Sequence, residues 1–89
     1  MIEKFAVEII LPALGKSMEF LLPSVMEIST AQSLIQKIVT LQHPEMRELD
    51  NKNNMWLVDI ESKRRIPANV TCREGGLKNG SKLMLLWVN

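Results

Sequence analysis

The chain has few of the residue types that carry chemistry. Its 89 residues include one cysteine, one histidine and no tyrosine. A single cysteine cannot form an intramolecular disulfide, and one cysteine with one histidine does not make a metal site. A glycine-rich loop that would hold a phosphate group is also missing. The sequence therefore predicts no catalytic, metal-binding or cofactor-binding residues, and we expect a protein that is not an enzyme.

An excess of one charge and a long apolar run are missing as well. The 11 basic and 10 acidic side chains give a formal net charge of +1, which does not favour nucleic acid or a membrane surface as a partner. No apolar run reaches the ~18 residues of a membrane span, and residues 1–4 are not typical of a signal peptide. We expect one cytoplasmic domain over residues 1–89, because so short a chain has room for one small core.

What the chain does contain is a strongly apolar stretch near each end. Lys82–Val88 is almost continuously apolar and follows the turn signal Asn79-Gly80, which is typical of a strand in the middle of a sheet. Phe5–Leu11 places apolar residues at alternate positions. Ser17–Leu22 repeats the alternation after a short loop with proline and glycine, and the two stretches predict a hairpin.

A helix is predicted after this hairpin. Ser29 and Gln32 have the spacing of a capping box, so we expect the Ser29 hydroxyl to cap the first turn. Pro44 disfavours helical geometry at His43, and the helix should end near Gln42. A short polar turn over 44–50 and a loop over 50–54 should follow. One apolar stripe at helical spacing is predicted to cover the sheet: Ala31, Leu34, Ile35, Ile38, Val39 and Leu41.

Two further strands are predicted in the second half of the chain. Met55–Ile60 should form the third strand, with Trp56 on one face and Leu57 on the other. Arg65-Ile66 should form a short fourth strand that ends at a proline. The sequence shows no internal repeat, linker or low-complexity segment.

The segment before the final strand contains a second capping-box spacing, Thr71 with Glu74. Gly75-Gly76 should end the helical turn that this box begins, because glycine readily takes a left-handed conformation. Cys72 follows the cap residue. A nucleophilic thiol would need a base, and none is implied nearby, so a small buried core side chain is the favoured interpretation.

The order of these elements indicates an α+β fold of the β-grasp, or ubiquitin-like, type. The first and last strands would lie side by side in parallel, because the long connection between them permits a crossover. The expected architecture is a four- to five-stranded mixed sheet with one long helix on one face. Both Trp56 and Trp87 are expected to be largely buried.

A helix on one face leaves the other face of the sheet uncovered. We expect four apolar side chains to meet there on adjacent strands and to bind a protein partner: Ile10, Leu57, Met84 and Leu86. The alternative is that these are ordinary scattered surface aliphatics, or that the long loop folds over them. The basic run Lys63–Arg65 would be a solvated turn or, as the alternative, a contact for an acidic partner or phosphate.

Three stretches resemble the YukD and EsaB family of small bacterial ubiquitin-like proteins. Trp56-Leu57-Val58 opens a strand as a tryptophan does in that family, and the polar hairpin 61–64 is similarly placed. The stretch from Cys72 to Leu83 shares the spacing of an apolar residue, a glycine, an aliphatic residue, an asparagine-glycine turn and a leucine strand. The matching positions are Cys72, Gly76, Leu77, Asn79, Gly80 and Leu83.

The resemblance implies an accessory or regulatory protein of a type VII secretion system, with a cytosolic secretion component as partner. It also implies that the uncovered sheet face binds partners, and weak self-association is a further expectation. The alternative is a ubiquitin-like modifier or sulfur carrier that lacks the C-terminal diglycine of such proteins. Against that alternative, the chain ends Leu86-Trp87-Val88-Asn89, and we expect its carboxylate to be held at the end of the central strand.

Overall fold

The computed structural model describes residues 2–47 and 54–88. Parts of two predicted features, the turn over 44–50 and the loop over 50–54, lie outside the described residues, and so does the carboxylate of Asn89. The strands and the long helix are β1 (Lys4–Leu11), β2 (Lys16–Pro23), α1 (Ile28–Gln42), β3 (Asn54–Asp59), β4 (Arg64–Arg65) and β5 (Lys82–Val88), with short 3-10 helices at Pro12–Leu14 and Pro44–Met46.

The strands form one mixed sheet in the order β2-β1-β5-β3-β4. The central pair, β1 and β5, is parallel, and every other pair is antiparallel. The first and last strands are thus adjacent at the centre, as predicted. Their long connection contains β2, α1, β3 and β4, and parallel neighbours need a crossover of this kind. The β-grasp prediction is confirmed.

The core lies between the sheet and α1. Alternate residues of β1, including Val7 and Ile9, are fully buried, and so are Leu83 and Leu85 of β5. Their strands are neighbours in register, since Ile9 pairs with Leu83. The buried side of the helix that closes this core comprises Ile28, Ala31, Ile35 and Val39. We call this side of the sheet the covered face.

The beginning of α1 differs from the prediction. The helix starts at Ile28, which is fully buried, and Glu27 takes the cap position without a side-chain hydrogen bond. The first amides are instead satisfied by a neighbouring loop, because Ile28 donates to the Val70 carbonyl at 2.8 Å and Ser29 donates to the Ala68 carbonyl at 3.0 Å. Because Ile28 is buried against the core, the helix begins one residue before Ser29. The prediction that Ser29 caps the helix is therefore wrong.

The predicted helical stripe is correct at its centre and too wide. The helix ends at Gln42, as predicted, and Ala31, Ile35 and Val39 are buried. Leu34 and Leu41 are 43% and 64% exposed. A helix that packs on a single sheet buries only a narrow stripe, and these two residues lie beside it.

The second capping box is present. The Glu74 carboxylate accepts a hydrogen bond from the Thr71 amide at 2.9 Å, and the Thr71 hydroxyl accepts one from the Glu74 amide at 3.1 Å. The two glycines that follow are structural. Gly76 has φ +89°, and a Cβ on Gly75 would lie 2.9 Å from Cγ2 of Ile66. Both observations explain why glycine is needed here.

Candidate interaction face

The side of the sheet away from α1 carries a row of apolar side chains. The pairing of β1 with β5 sets Ile10 beside Met84, and the pairing of β5 with β3 sets Met84 beside Val58 and Leu86 beside Trp56. Side chains at paired positions share a face of the sheet. The row therefore crosses three adjacent strands, and we call it the open-face patch: Ile10, Trp56, Val58, Met84 and Leu86.

The patch is partly accessible to solvent at every position. Trp56 is 36% exposed, and the other four side chains are half-buried. A single exposed leucine is common on a protein surface. Contiguous apolar side chains are different, because one partner can remove all of them from water together. Met84 adds an adaptable contact, since a methionine side chain repacks easily.

Leu57 was predicted to belong to this face and does not. It pairs with Leu85 in the ladder between β3 and β5, and it is only 1% exposed. Alternation along a strand separates Trp56 from Leu57, but it does not say which of them faces the core. From the sequence, Trp56 is expected on the covered face and Leu57 on the open one. The register of β3 puts the leucine on the covered face instead, and the predictions that Leu57 is accessible and that Trp56 is largely buried are both wrong.

The alternation of β3 fits either face, because Trp56 and Val58 form an apolar pair just as Met55 and Leu57 do. Met55 and Leu57 are two positions apart and both apolar, and both are buried in the core. They match Leu83 and Leu85, the fully buried pair of the neighbouring strand. Trp87 shares their face as the partner of Met55, and it is half-buried and packed against the core, so the expected burial of Trp87 holds only in part.

The Trp56 ring is stacked against a basic side chain. The guanidinium carbon of Arg65 lies 4.6 Å from the centre of the Trp56 ring. Arg65 pairs with Val58 across β3 and β4, so it projects from the same face. A guanidinium stacked on a ring keeps its in-plane N–H groups available for a partner. The patch therefore ends in a cation on the β4 side.

The opposite side of the open face is acidic. Glu8 of β1 and Glu19 of β2 are paired positions, and Glu19 is exposed whereas Glu8 is half-buried. Glu8 also lies beside Lys82 of β5. Beyond them, Leu21 on the edge strand β2 is 66% exposed. The open face thus runs from an acidic side at β2 to a basic side at β4.

The other sequence candidates have structural explanations. Cys72 is fully buried, and burial raises the pKa of its thiol, as expected of a core side chain. Asp59 shapes the turn between β3 and β4 by accepting hydrogen bonds from the Glu61 amide and the Ser62 hydroxyl. Among residues 2–47 and 54–88, no three His, Cys, Asp or Glu side chains are grouped as metal ligands would be.

These features define a ubiquitin-like β-grasp domain with an apolar open face. By sequence, no known protein family and no curated protein matches the chain. By structure, it is similar to the EccD5 ubiquitin-like domain from Mycobacterium xenopi, with a TM-score of 0.71, 17% identity and coverage of 98% of this chain and 97% of that one. It is also similar to an archaeal ubiquitin, from Caldiarchaeum subterraneum, with a TM-score of 0.65, 14% identity and coverage of 98% and 96%.

A third similar structure is a chain of the MycP5-free ESX-5 inner membrane complex. The TM-score is 0.72 with 16% identity, and the match covers 96% of this chain but only 21% of the other. The present chain therefore spans about a fifth of the length of that relative. Identities this low establish the shared fold. Within the part of the chain that the structure describes, no helix has the length and apolar character needed to cross a membrane.

Proposed function

We propose that this protein is a non-catalytic interaction module that acts in the cytoplasm as an accessory or regulatory component of a type VII secretion system. The observation that carries the proposal is the open-face patch, which offers contiguous apolar side chains to a protein partner. A catalytic function has little support, because the thiol of Cys72 is fully buried and its pKa is raised by that burial.

The link to secretion is supported by two of the structural neighbours. One is named as a ubiquitin-like domain, EccD5, and another as part of an ESX-5 inner membrane complex. The resemblance of Trp56-Leu57-Val58 and of the stretch from Cys72 to Leu83 to the YukD and EsaB family points in the same direction. A cytosolic component of such a system is the partner class that fits both resemblances.

The second candidate is a ubiquitin-like modifier or sulfur carrier, which the similarity to an archaeal ubiquitin favours. Modification requires a diglycine that is free to enter an activating enzyme. The Gly75-Gly76 pair of this chain is held in a hydrogen-bonded turn: the Gly75 amide donates to the Thr71 carbonyl at 2.8 Å, and the Gly76 amide donates to the Arg73 carbonyl at 3.0 Å. This placement supports the interaction module over the modifier.

The test of the proposed function is capture of cytosolic secretion components encoded in the same genome. Leu86→Asp and Met84→Asp should abolish capture while the far-ultraviolet circular dichroism spectrum stays that of the folded protein. Leu41→Asp is a matched control, since Leu41 is an apolar residue 64% exposed on the helix. Capture that survives both patch substitutions, or that Leu41→Asp also abolishes, would contradict the assignment of the open face.

The modifier alternative is tested separately by mass spectrometry. Incubation with ATP and a cell extract should yield no adenylate, thiocarboxylate or covalent conjugate of the protein. Any such product, whether at Asn89 or at a glycine exposed by processing, would favour the second candidate.

A further inference from the structure

The open face has a charge polarity that runs across the strands. Glu19 lies on the outer strand β2, and Arg65 lies on the outer strand β4 at the other end of the sheet. The apolar patch occupies the three strands between them. At a spacing of about 4.8 Å between neighbouring strands, the two charges are about 19 Å apart. An acidic edge, an apolar centre and a basic edge thus follow one another across a single surface.

A surface of this kind is complementary to itself. We propose that a second copy of the chain packs on the open face, with a two-fold axis that runs parallel to the strands above β5. Such an axis exchanges the β2 side of one copy with the β4 side of the other, so that each Glu19 faces the Arg65 of its partner. The proposal rests on the proposed function in one respect, because it takes the same face to be the binding surface.

The charges select this axis over the other face-to-face arrangement. A two-fold axis perpendicular to the strands would place β2 on β2 and β4 on β4. Glu19 would then face Glu19, and Arg65 would face Arg65, which is unfavourable. Of these two axes, the one parallel to the strands brings opposite charges together at both edges.

The same axis brings the apolar side chains into register. Met84 and Leu86 lie on β5, beneath the axis, so each meets its own copy. Ile10 and Val58 flank Met84 on its two sides at the same level of the sheet, so the axis sets Ile10 of one copy over Val58 of the other. Methionine at the axis suits a contact between identical residues, because its flexible side chain adapts to its partner.

The charged pairs are within reach of each other. Glu19 is level with Glu8 and Lys82, and Arg65 is level with Val58 and Met84. The two levels differ by two residues of strand, which is about 7 Å. The Trp56 ring that Arg65 stacks on is level with Leu86, two residues further from the level of Glu19. The arginine side chain therefore covers the offset by turning away from the ring towards the partner. Glu8 has Lys82 beside it in its own sheet, so Glu19 is the acidic side chain that remains for the partner.

The area of the face limits the strength of the dimer. Five strands at this spacing make a face about 20 Å wide, and two such faces bury on the order of 800 Å² in total. This is below the size of standard stable interfaces. We therefore expect a reversible dimer that dissociates on dilution and that salt weakens, since its charged pairs lie at the solvent-exposed edges.

The first test uses chemical cross-linking at the axis. Facing sheets pack about 10 Å apart, so two thiols introduced by Met84→Cys come within reach of a short bis-maleimide and should give a covalent dimer. Glu19→Cys is the matched control, because its two thiols would lie about 20 Å apart and should give none. The native Cys72 is fully buried and does not interfere.

The second test exchanges the charges at the edges. Glu19→Lys and Arg65→Glu each create two like-charge contacts in the dimer, so each variant alone should raise the dissociation constant by at least about tenfold. An equimolar mixture of the two variants restores opposite charges at both edges and should dimerise nearly as tightly as the wild type. Sedimentation equilibrium over roughly 10 μM to 1 mM covers the affinity expected for this area.

The outcomes separate the dimer from the proposed function. Cross-linking at position 84 but not at position 19, together with recovery in the mixture, would establish the dimer. A wild type that stays monomeric to about 1 mM, or a mixture that dimerises no better than its components, would overturn it. In that case the proposed function still stands if Leu86→Asp abolishes capture of a secretion component, and it fails independently if capture is unchanged.

Discussion

The two faces of the sheet use alternate residues of the same strands and differ in how far their side chains are buried. On β5, Leu83 and Leu85 are fully buried, whereas Met84 and Leu86, each one residue further along, are only half-buried. The covered face is closed by α1 and carries the stability of the domain. The open face is also apolar at its centre, but α1 lies on the other side of the sheet. The comparison shows that alternate apolar side chains of one strand can be closed in the core or left partly accessible to solvent.

Substitutions at neighbouring positions of β3 should separate the two faces most strongly. Leu57→Asp places a carboxylate in the closed core, where an unpaired charge and a lost apolar contact should cost at least about 4 kcal/mol and unfold the domain. Trp56→Asp, one residue away, should leave a folded protein. Circular dichroism and urea denaturation measure the difference. Equal losses of stability at the two positions would show that the open face is also closed in the monomer.

Gly75→Ala tests how tightly the turn at Gly75 packs against Ile66 and the backbone of Thr71. The added methyl group would lie 2.9 Å from Cγ2 of Ile66 and 3.3 Å from the Thr71 carbonyl oxygen. One neighbour is backbone, so the contact cannot be relieved freely, and we expect a loss of about 1–3 kcal/mol in the free energy of unfolding. Val58→Ala on the open face is the comparison, and it should cost less than Gly75→Ala. The reverse order in chemical denaturation would contradict the packing described for Gly75.

The two capping-box sequences should differ in their contribution to stability. Thr71→Ala removes a hydroxyl that accepts a hydrogen bond from the Glu74 amide, and it should cost about 1 kcal/mol. Ser29→Ala should cost less than about 0.5 kcal/mol, because carbonyls of the loop at 68–70 already satisfy the first amides of α1. Thermal unfolding of both variants tests the difference. A larger loss of stability for Ser29→Ala than for Thr71→Ala would show that Ser29 caps α1, as the sequence predicted.

The second box should also make a small contribution that depends on pH. The pKa of Glu74 lies below its ordinary value of 4.5. The larger cause is the hydrogen bond from the Thr71 amide, and the smaller is the hydrogen bond from the Thr71 side chain. A depressed pKa in the folded state means that this contribution is present above the ordinary pKa and is lost as the pH falls through the folded value. Glu74→Gln should therefore reduce stability at neutral pH, with the difference from wild type shrinking below about pH 4.5. A difference that is constant with pH would contradict this account of Glu74.

The topology could be predicted from the sequence because its signals are local and strong. The apolar runs at the two ends, the helix end before Pro44 and the capping box at Thr71 each specify a local structure, and one arrangement of the strands accommodates all of them. The helix start could not be predicted, because the carbonyls of Ala68 and Val70 that cap it are about 40 positions away along the chain.

The candidate site was predicted only in part for a different reason. Ile10, Met84 and Leu86 lie on the open face as expected, since long alternating strands fix their orientation. For β3, alternation left two orientations, and the register with β5 decides between them by pairing Leu57 with Leu85. Trp56 and its stacked neighbour Arg65 were missed as members of the site, because their contact depends on the pairing of β3 with the two-residue strand β4.

The central claim is that the open face is the binding surface of this domain, and Leu86→Asp tests it most directly. Leu86 is half-buried and directly follows the fully buried Leu85. The measurement is the affinity of the folded variant for a cytosolic secretion component that the wild type binds, by isothermal titration calorimetry. We predict a dissociation constant raised by at least about tenfold, because a carboxylate at the centre of an apolar contact is desolvated without a partner. A folded variant that binds as tightly as the wild type would contradict the account.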